Sequence, residues 1–578
     1  MEIRFIGPLD KVTGSCTWMR DQSRGWSFLV DCGMQQGERS AKDWNACEDW
    51  PFQAADLQFV LLTHAHIDHS GLIPVLYKRG FKGTIYCTEE TQKLAELLLR
   101  DAARFPDTPY SENDLELIKW RTPGGATKFG IYHPVDQDLF IRFFRSGHIV
   151  GAVSVSIHWG AKGDDQKSIL FSGDVGPGSE DGEVLPFLRY PLHPKPGNFA
   201  VLESTYGSAV REESERSPKE RRAQLKELLD RILESGGTLA LPAFSVGRTQ
   251  DILFDIHYLV AENAERYGAI KYLLDSPTSV KVNAVTLEAL KKTQLNPTTG
   301  KSRPLWMGKQ VFRELGLDKN NREHFDFALD IFSMTLGNLD RSDVGGRFGN
   351  SVAGAWRPLF KQVKDRARQI QDENGPRVIL MSSGTGDGGA CASWLPALIQ
   401  SERNIVALTG YCAATTVGGQ LLTLMRAPID QRKLHTGEIV WKHLDGSRSL
   451  SVPISLVRAN ITCLKGYSAH GDQTDLVNWL FENHRGSLRQ VLGHTVFLQH
   501  GEDKARNALQ AALYERAEDW GLDLNVVKPQ DAARWINLDL DQVHPGNDLG
   551  LEEIQLEIGR LQHALASLKA IELRRNGF

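Results

Sequence analysis

The sequence predicts an α/β protein with more than one domain, and three observations support this. Short β-rich runs separated by glycine turns fill the first third of the chain, such as "EIRFIG", "FVLLT" and "SILFSGD". From about residue 216 the order becomes strand, turn and helix, which is typical of a parallel sheet covered by helices. The chain has 578 residues, and a single hydrophobic core rarely serves more than about 250 to 300. We therefore expect two or three domains.

The elements of the second part follow from their apolar spacing. The run "PKERRAQLKELLDRILES" predicts a helix that ends at Gly236, "TLALPAF" predicts a strand, and "TQDILFDIHYLVAE" a second helix. The apolar runs "KYLLDS", "RVILMSS" and "NIVALTG" predict central strands of a parallel sheet. Residues 292–350 are less regular, with two polar loops that contain glycine, and we expect an insertion there.

Composition limits the class of protein. Net charge is −5, so a polyanionic substrate would have to be held by a local groove and by metal ions rather than by a basic surface. The sequence has no run of 18 apolar residues and no signal-peptide pattern, which predicts a cytoplasmic protein with no membrane partner. The seven cysteines include no C-x-x-C pair, which favours reduced thiols over a cysteine-built zinc site.

The hexapeptide "HAHIDH" is the strongest functional signal in the chain. It follows the apolar run "FVLLT" and supplies four metal-binding side chains at the end of a predicted strand: His64, His66, Asp68 and His69. Imidazole and carboxylate groups suit zinc, and packing alone has no use for so many polar groups. One metal rarely needs all four, so they could divide between two neighbouring metals.

Three further candidates stand at the ends of predicted strands. They are Asp31 in "FLVDCG", His148 in "RSGHIVG" and Asp174 in "FSGDVG". Each alone is a weak signal, because aspartate close to glycine is common in turns. Their recurrence at strand ends predicts that they share one metal-binding edge with the hexapeptide.

The order of these motifs resembles the metallo-β-lactamase fold. The segments "GPLDKVTGSCTWM", "VDCGMQQGE" and "HIDHSGLIP" resemble its nucleic-acid-processing branch, the β-CASP nucleases, and in particular the bacterial and archaeal relatives of the cleavage-and-polyadenylation endonuclease. Three later segments match the additional motifs of that branch: "LESTYG" with Glu203, "GYSAHGD" with His470 and "FLQHGED" with His500. The resemblance extends from residue 1 to about residue 515.

The resemblance implies a division of the chain. Residues 1–205 and 436–540 would form a metallo-β-lactamase αββα sandwich. Residues 206–435 would form an inserted β-CASP domain of parallel α/β type, with the further insertion near 292–350. The active site would lie in the cleft between the two domains.

The resemblance also implies a role for each site residue. His64, His66 and His148 would bind one zinc ion, Asp68, His69 and His500 a second, and Asp174 would bridge the two, with manganese as the alternative metal. Asp31 would orient ligand histidines by hydrogen bonding. His470 would act as the general acid, held by Glu203. The implied catalytic residues are Asp31, Asp68, Glu203 and His470.

A glycine-rich loop, "GTGDGG", follows the strand "RVILMSS". It fits the dinucleotide-binding pattern G-x-G-x-x-G, but the acidic residue required about 20 residues later is missing. We expect instead that the backbone N–H groups of Ser383, Gly384 and Gly386 hold a phosphate of a nucleic acid. Arg248 lies at another predicted strand-to-helix turn, where a phosphate contact and a structural salt bridge are both open interpretations.

Residues 545–578 predict a C-terminal helix. Its apolar residues alternate at spacings of three and four, as in a coiled-coil seam: Leu551, Ile554, Ile558, Leu561, Leu565 and Leu568. Packing on the body of the protein is one interpretation. We expect the other, a homodimer formed through this helix.

These observations together predict a zinc-dependent phosphodiesterase that cleaves single-stranded RNA, as an endonuclease, a 5′-exonuclease or both. By resemblance, His500 favours RNA, because the DNA-repair branch typically has valine there. A DNA nuclease of the same fold, in repair or defence, is the main alternative. A small-molecule metallo-hydrolase would need neither Glu203 nor His470, and a non-catalytic scaffold would have lost metal ligands.

Overall fold

The computed structural model describes most of the chain, namely residues 1–36, 41–105, 107–161, 166–178, 182, 184–192, 194, 197–295, 300, 302–337, 351–372, 375–410, 412–442, 449–481 and 495–539. The predicted C-terminal helix at 545–578 lies outside the described residues. Within these ranges, no helix is both long enough and apolar enough to cross a membrane.

The strands of the described chain are, in order, β1 (Glu2–Phe5), β2 (Thr17–Asp21), β3 (Trp26–Val30), β4 (Phe59–Leu61), β5 (Thr84–Tyr86), β6 (Trp120–Arg121), β7 (His133–Asp136), β8 (Leu139–Arg145), β9 (Val153–Trp159), β10 (Lys167–Phe171), β11 (Phe199–Glu203), β12 (Thr238–Pro242), β13 (Lys271–Asp275), β14 (Thr293–Leu295), β15 (Ser302–Pro304), β16 (Lys361–Gln362), β17 (Arg377–Met381), β18 (Ile405–Leu408), β19 (Glu438–Lys442), β20 (Ser449–Pro453), β21 (Asn460–Cys463), β22 (Thr495–Gln499), β23 (Asn525–Val527) and β24 (Ile536–Asn537).

The α-helices of the same ranges are α1 (Ala41–Ala46), α2 (Ile67–Ser70), α3 (Ile73–Lys78), α4 (Glu89–Ala102), α5 (Glu112–Leu115), α6 (Glu213–Arg216), α7 (Pro218–Ser235), α8 (Arg248–Glu262), α9 (Ala264–Tyr267), α10 (Pro277–Leu290), α11 (Gln310–Glu314), α12 (Arg322–Thr335), α13 (Arg366–Gln371), α14 (Cys391–Leu398), α15 (Val417–Leu424), α16 (Ile429–Arg432), α17 (Gln473–Phe481) and α18 (Asp503–Asp519).

Two seven-stranded sheets form the sandwich domain. Their strand orders are β24-β1-β2-β3-β4-β5-β6 and β23-β22-β11-β10-β9-β8-β7. The facing sides share one apolar core, in which the rings of Phe5 and Phe497 lie 5.4 Å apart. Helices α3 and α4 cover the outer face of the first sheet, and α17 and α18 that of the second. The predicted αββα sandwich is thus confirmed.

A third sheet forms the inserted domain. Its order is β16-β13-β17-β12-β18-β21, and all neighbouring strands are parallel. The three apolar runs predicted as central strands form β13, β17 and β18. Helix α7 begins after Ser217, whose side chain accepts a hydrogen bond from the Glu220 N–H, and ends at Gly236, whose φ of 66° suits glycine.

The inserted domain extends further along the chain than the predicted boundary at residue 435. Strand β21 pairs with β18, with Cys463 opposite Leu408, so this segment belongs to the third sheet. The chain rejoins the sandwich only at α17, which packs on the second sheet. A short apolar run predicts a strand but does not specify the sheet it joins, because that depends on distant partners.

Residues 292–350 differ from the irregular insertion that we expected. Their described part contains a hairpin of β14 and β15 followed by helices α11 and α12. This segment packs against the sandwich as well as its own domain. The rings of Trp306 and Phe129 lie 5.3 Å apart, and Arg145 donates a hydrogen bond of 3.0 Å to the Leu305 carbonyl. Burial of its aromatic side chains makes it part of the core that joins the two domains.

Candidate metal centre and active-site cleft

Strand ends bring the candidate residues together. Strands β3 and β4 are parallel neighbours, and Asp31 and His64 follow their carboxyl ends. In the second sheet β10, β11 and β22 are parallel. Asp174 follows β10, Glu203 ends β11 and His500 follows β22. Carboxyl ends of parallel strands meet at one edge of a sheet, and here Asp31 of the first sheet and Asp174, Glu203 and His500 of the second line one small pocket.

Two of these residues have an unusual backbone conformation. Asp31 has a φ of 59° and His500 a φ of 58°, in the left-handed region that side chains other than glycine seldom adopt. Such strain persists only where the surrounding structure enforces it, and it is concentrated at functional sites. Both residues turn directly after a strand.

The first cluster of potential ligands contains His64, His66, His148 and Asp174. The Nε2 atoms of His64 and His148 lie 3.2 and 3.0 Å from Nδ1 of His66. Both also lie 3.5 Å from Oδ2 of Asp174. His66 is half-buried, and the other three side chains are buried.

The second cluster contains Asp68, His69 and His500. Nε2 of His69 lies 3.1 Å from Nε2 of His500, which in turn lies 3.3 Å from Oδ2 of Asp68. Nε2 of His69 is also 3.2 Å from Oδ1 of Asp174. The two oxygens of Asp174 therefore face different clusters, which is the arrangement needed to bridge two metals.

These donor sets fit metal ions. Ligand atoms held about 2.0 to 2.2 Å from a tetrahedral zinc ion lie about 3.3 to 3.6 Å apart, close to the spacings found here. Both oxygens of the buried Asp174 carboxylate lie within 3.5 Å of imidazole nitrogens, Oδ1 beside His69 and Oδ2 beside His64 and His148. Imidazole nitrogens and carboxylate oxygens that converge in this way are the donors that zinc sites use. The two clusters can thus hold two metals that share Asp174.

Residues outside the clusters orient the ligands. Oδ2 of Asp31 lies 2.8 Å from Nδ1 of His69 and accepts a hydrogen bond of 2.8 Å from the Thr63 hydroxyl. The Thr205 hydroxyl lies 3.1 Å from Nδ1 of His500. The carbonyl of Ala469 lies 2.9 Å from Nδ1 of His148. Each contact fixes the ring nitrogen that points away from the cluster, so that the other nitrogen faces it.

Sequence reasoning found only one of these orienting groups, Asp31. Thr63 immediately precedes His64, and Thr205 lies in "LESTYG", so both stand inside motifs that had already been recognised. Their position within these motifs was the signal in the sequence that could have identified them. The Ala469 carbonyl is a backbone atom and carries no signal in the sequence.

Burial and neighbouring charges set the protonation of the histidines. Burial, with the imidazoles around them, holds the pKa of His64 and His148 well below the usual range and lowers the pKa of His66 to about 4. Neutral imidazole is the form that binds metal. Burial acts the same way on His69, but the carboxylates of Asp174 and Asp31 outweigh it and raise the pKa of His69 well above its usual value.

His470 and Glu203 lie beside the clusters. Nδ1 of His470 is 3.3 and 3.4 Å from the two carboxylate oxygens of Glu203, and Nε2 is 3.9 Å from Oδ2 of Asp174. Glu203 is itself held by the Val175 N–H at 2.6 Å. The His470 side chain is 18% exposed, whereas that of Asp174 is 1% exposed. Although burial opposes it, the carboxylates of Glu203 and Asp174 raise the pKa of His470.

Part of the two clusters forms the floor of a cleft between the two domains, with a volume of about 1190 Å³. Residues on its floor include His66, Asp68, His148 and His470. One wall comes from the sandwich and includes Leu98, Asp101, Phe105, Asp107 and Tyr206. The opposite wall comes from the inserted domain and includes Phe244, Val246, Arg248, Ser383 and Gly384.

Arg248 lines the cleft without a salt bridge. Its Nε donates a hydrogen bond of 3.2 Å to the Tyr467 carbonyl, and its guanidinium carbon lies 5.1 Å from the centroid of the Phe244 ring. No carboxylate lies within ion-pair distance of it in the described chain, so the structural salt bridge that we considered is absent there. Arg248 is therefore a cationic residue of the cleft lining whose guanidinium packs against Gly410.

The glycine-rich loop differs from its predicted phosphate cradle. The N–H of Ser383 donates to the Gly388 carbonyl at 3.2 Å, and the N–H of Gly386 donates to the Ser383 carbonyl at 3.1 Å. Two of the three expected donors are therefore used within the loop. A turn satisfies its own backbone groups where it can, because unpaired groups are costly. The loop still lines the cleft through Ser383 and Gly384.

Two family models match this chain. The metallo-β-lactamase superfamily model matches residues 9–219, and the Beta-Casp domain model matches residues 249–421. Together the two matches cover more than half of the chain.

The chain is also similar to curated proteins along most of its length. Ribonuclease TTHA0252 of Thermus thermophilus is 26% identical over 530 residues, which cover 90% of this chain and 98% of that protein. Transcription termination factor FttA of Methanocaldococcus jannaschii is 24% identical over 500 residues, which cover 83% of this chain and 64% of that protein. The FttA of Lokiarchaeum is 24% identical, with 89% and 69% covered. The chain thus spans roughly two thirds of the length of the FttA proteins.

The family matches agree with the αββα sandwich, with the inserted parallel domain and with the donor clusters in the cleft between them. The chain belongs to the β-CASP branch of the metallo-β-lactamase superfamily, a branch of metal-dependent hydrolases.

Proposed function

We propose that the protein is a nuclease that hydrolyses phosphodiester bonds in single-stranded RNA with two zinc ions. One observation carries this proposal: Asp174 offers one oxygen to each of two donor clusters, and His66, Asp68 and His148 of these clusters line a cleft to which both domains contribute. The names of the similar proteins, a ribonuclease and transcription termination factors, point to RNA.

The proposed ligand sets follow the two clusters. His64, His66 and His148 would hold one metal, Asp68, His69 and His500 the other, and Asp174 both. A pair of bound divalent metals activates a water molecule and neutralises charge that develops on the phosphate. Asp31 and Thr205 keep His69 and His500 in the required orientation. Manganese is the alternative metal for the same donors.

His470 is the proposed general acid. It faces the cleft, lies outside both ligand clusters and contacts Glu203, which holds the imidazole in place. Nε2 of His470, the ring nitrogen that does not contact Glu203, would donate a proton to the leaving oxygen of a phosphodiester bound at the metal clusters. General acids of this kind contribute about 10²- to 10⁴-fold to a rate.

The size of the cleft favours an extended nucleic acid over a small substrate. Its volume of about 1190 Å³ exceeds the roughly 300 to 1,000 Å³ of typical small-molecule sites. The strand must pass between two walls and present one phosphate to the floor, which an unpaired strand can do. Net charge is −5, so the metals and Arg248 would supply the local attraction.

A digest of matched substrates tests this proposal. Single- and double-stranded RNA and DNA of one sequence, labelled at the 5′ end or internally, are incubated with the metal-loaded protein. We expect fastest cleavage of single-stranded RNA, with 5′-phosphate and 3′-hydroxyl products. Preferred cleavage of DNA would identify the protein as a DNA nuclease instead. Early release of 5′ mononucleotides would show 5′-exonuclease action, and discrete internal fragments would show endonuclease action.

We also propose a cytoplasmic homodimer formed through the helix predicted at 545–578. This part of the proposal rests on the coiled-coil spacing from Leu551 to Leu568. Deletion after Leu549 should shift the protein from dimer to monomer in light scattering while metal content stays the same. If light scattering finds the same number of chains per particle before and after the deletion, the helix does not mediate assembly.

A further inference from the structure

Two exposed phenylalanines face the cleft from opposite domains. Phe105 follows α4 in the sandwich and is 40% exposed, and Phe244 lies between β12 and α8 in the inserted domain and is 39% exposed. Exposing a large apolar ring to water is unfavourable, and aromatic side chains that line a binding cleft commonly meet a ligand there. Both rings also lie against the same glycine-rich loop.

The loop supports each ring through glycine. A side chain on Gly384 would place its Cβ 2.6, 2.8 and 2.9 Å from three carbons of the Phe244 ring, so the ring packs directly on the loop backbone at this glycine. A Cβ on Gly388 would lie 3.9 Å from the Phe105 ring. A side chain at position 384 would therefore clash with Phe244, so glycine is needed there, whereas at Gly388 the distance to Phe105 is an ordinary van der Waals contact. Rings held in this way lose little freedom when a planar ligand stacks on them.

The charged residues next to the two rings differ in sign. Asp101 and Asp107 line the cleft beside Phe105, whereas Arg248 lies 5.1 Å from the Phe244 ring centroid. Carboxylates repel phosphate but accept hydrogen bonds from the amino groups of bases. Arginine attracts phosphate. Arg248 would therefore hold a phosphate of the strand, while the bases next to that phosphate lie against the rings of Phe105 and Phe244.

We propose that Phe105 and Phe244 form a base-stacking site for unpaired nucleotides next to the phosphate at the metal centre. This inference rests on the proposed nuclease function and names two residues that would position the substrate. Stacking on an aromatic ring contributes enough per base to change affinity about 5- to 150-fold. It is tolerant of sequence, because every base has a planar face.

The experiment combines an abasic scan with a double variant. An RNA oligonucleotide that is cut at a known bond is remade with single abasic nucleotides at successive positions, and binding and kcat/KM are measured on the metal-loaded protein. One or two positions should show a loss of about 5- to 150-fold. In the variant carrying both Phe105→Ala and Phe244→Ala, abasic and intact oligonucleotides should behave alike. Tyr132→Ala, an exposed aromatic outside the cleft, should retain the wild-type profile.

The outcomes separate this inference from the proposed function. If the protein cleaves RNA but an abasic nucleotide has no effect at any position, the stacking site is wrong and the nuclease proposal stands. An abasic effect that persists in the double variant would also overturn the stacking site. Failure of the wild-type protein to bind any oligonucleotide, while it still hydrolyses a nitrophenyl phosphodiester, would overturn both. Metal content and melting temperature of the double variant show whether it is folded.

Discussion

The floor of the cleft and its inserted-domain wall hold their functional side chains in different ways. In the donor clusters that reach the floor, His64, His148 and Asp174 are buried at strand ends, and each lies within about 3.5 Å of another ligand-type side chain. On the wall, Phe244 lies between β12 and α8, Arg248 is the first residue of α8, and both remain partly exposed. In the proposed function, the metal ligands would stand at the ends of sheet strands, where geometry is fixed, and the substrate contacts would lie at a strand-to-helix turn.

This contrast predicts a gradient of effects. A substitution in the clusters at the floor removes a ligand atom from a set whose members depend on one another. The loss of activity should therefore be large, and bound metal should be lost as well. A change on the wall removes one contact to a flexible substrate, so it should weaken binding and leave the metals in place. The following variants test that gradient from its largest expected effect to its smallest.

Asp174→Ala should have the largest effect. Its two oxygens face both clusters, so its loss should lower occupancy of both metals. Each metal supplies several kcal/mol of transition-state stabilisation, which together correspond to a loss of more than about 10⁴-fold. Elemental analysis and cleavage assays measure the two losses. The control is His435→Ala, an exposed histidine outside the clusters and the cleft. Full metal content in Asp174→Ala would contradict the bridging role.

His470→Ala should separate the acid from the ligands. We expect a loss of about 10²- to 10⁴-fold in cleavage of RNA with both metals retained, because His470 lies outside the ligand clusters. A nitrophenyl phosphodiester has a leaving group that needs no proton, so its hydrolysis should be spared selectively. Zinc loss equal to that of His64→Ala would show that His470 is a ligand.

Asp31→Asn should have an intermediate effect. The amide cannot replace the carboxylate that faces both Nδ1 of His69 and the Thr63 hydroxyl. Loss of such an orienting group typically lowers metal affinity by about 10- to 100-fold. Titration with a competing chelator measures the change, and excess zinc should restore most of the activity. An unchanged affinity would mean that the ring of His69 is held by packing alone.

Arg248→Gln should have the smallest effect. It removes one cation from the inserted-domain wall and leaves both clusters intact, so KM for RNA should rise, on the order of tenfold, with metal content unchanged. Removing one phosphate contact should also reduce the dependence of log affinity on log salt by about one unit. Arg248→Lys, which keeps the charge, should retain most of the salt dependence. A fall in metal content would contradict the division between floor and wall.

Local sequence was sufficient for several elements of the fold. The buried strands and the helix ending at Gly236 follow from apolar spacing and from the capping residues, which act over a few positions. The density of histidine and aspartate in "HAHIDH" similarly identified the metal-binding edge. The family motifs, taken in order, indicated the sandwich and its inserted parallel domain before any contact was known.

The insertion at 292–350 shows where local pattern was insufficient. Its helices and hairpin have ordinary sequences, but their stability comes from burial of Trp306 and other aromatic residues against both domains. The glycine-rich loop shows the same limit at the level of single atoms. Its motif suggests free N–H donors, and only the folded turn reveals that Ser383 and Gly386 already donate within it.

By itself, the sequence determined which residues are available for chemistry, namely the histidines and carboxylates at strand ends. It also indicated the inserted domain and the family. The tertiary structure decided how these residues meet. It placed His500 3.1 Å from His69, although 431 positions separate them in the chain, and it brought Phe105 and Phe244 to one cleft. Composition and spacing report short-range forces, whereas these pairings depend on which surfaces pack together over the whole chain.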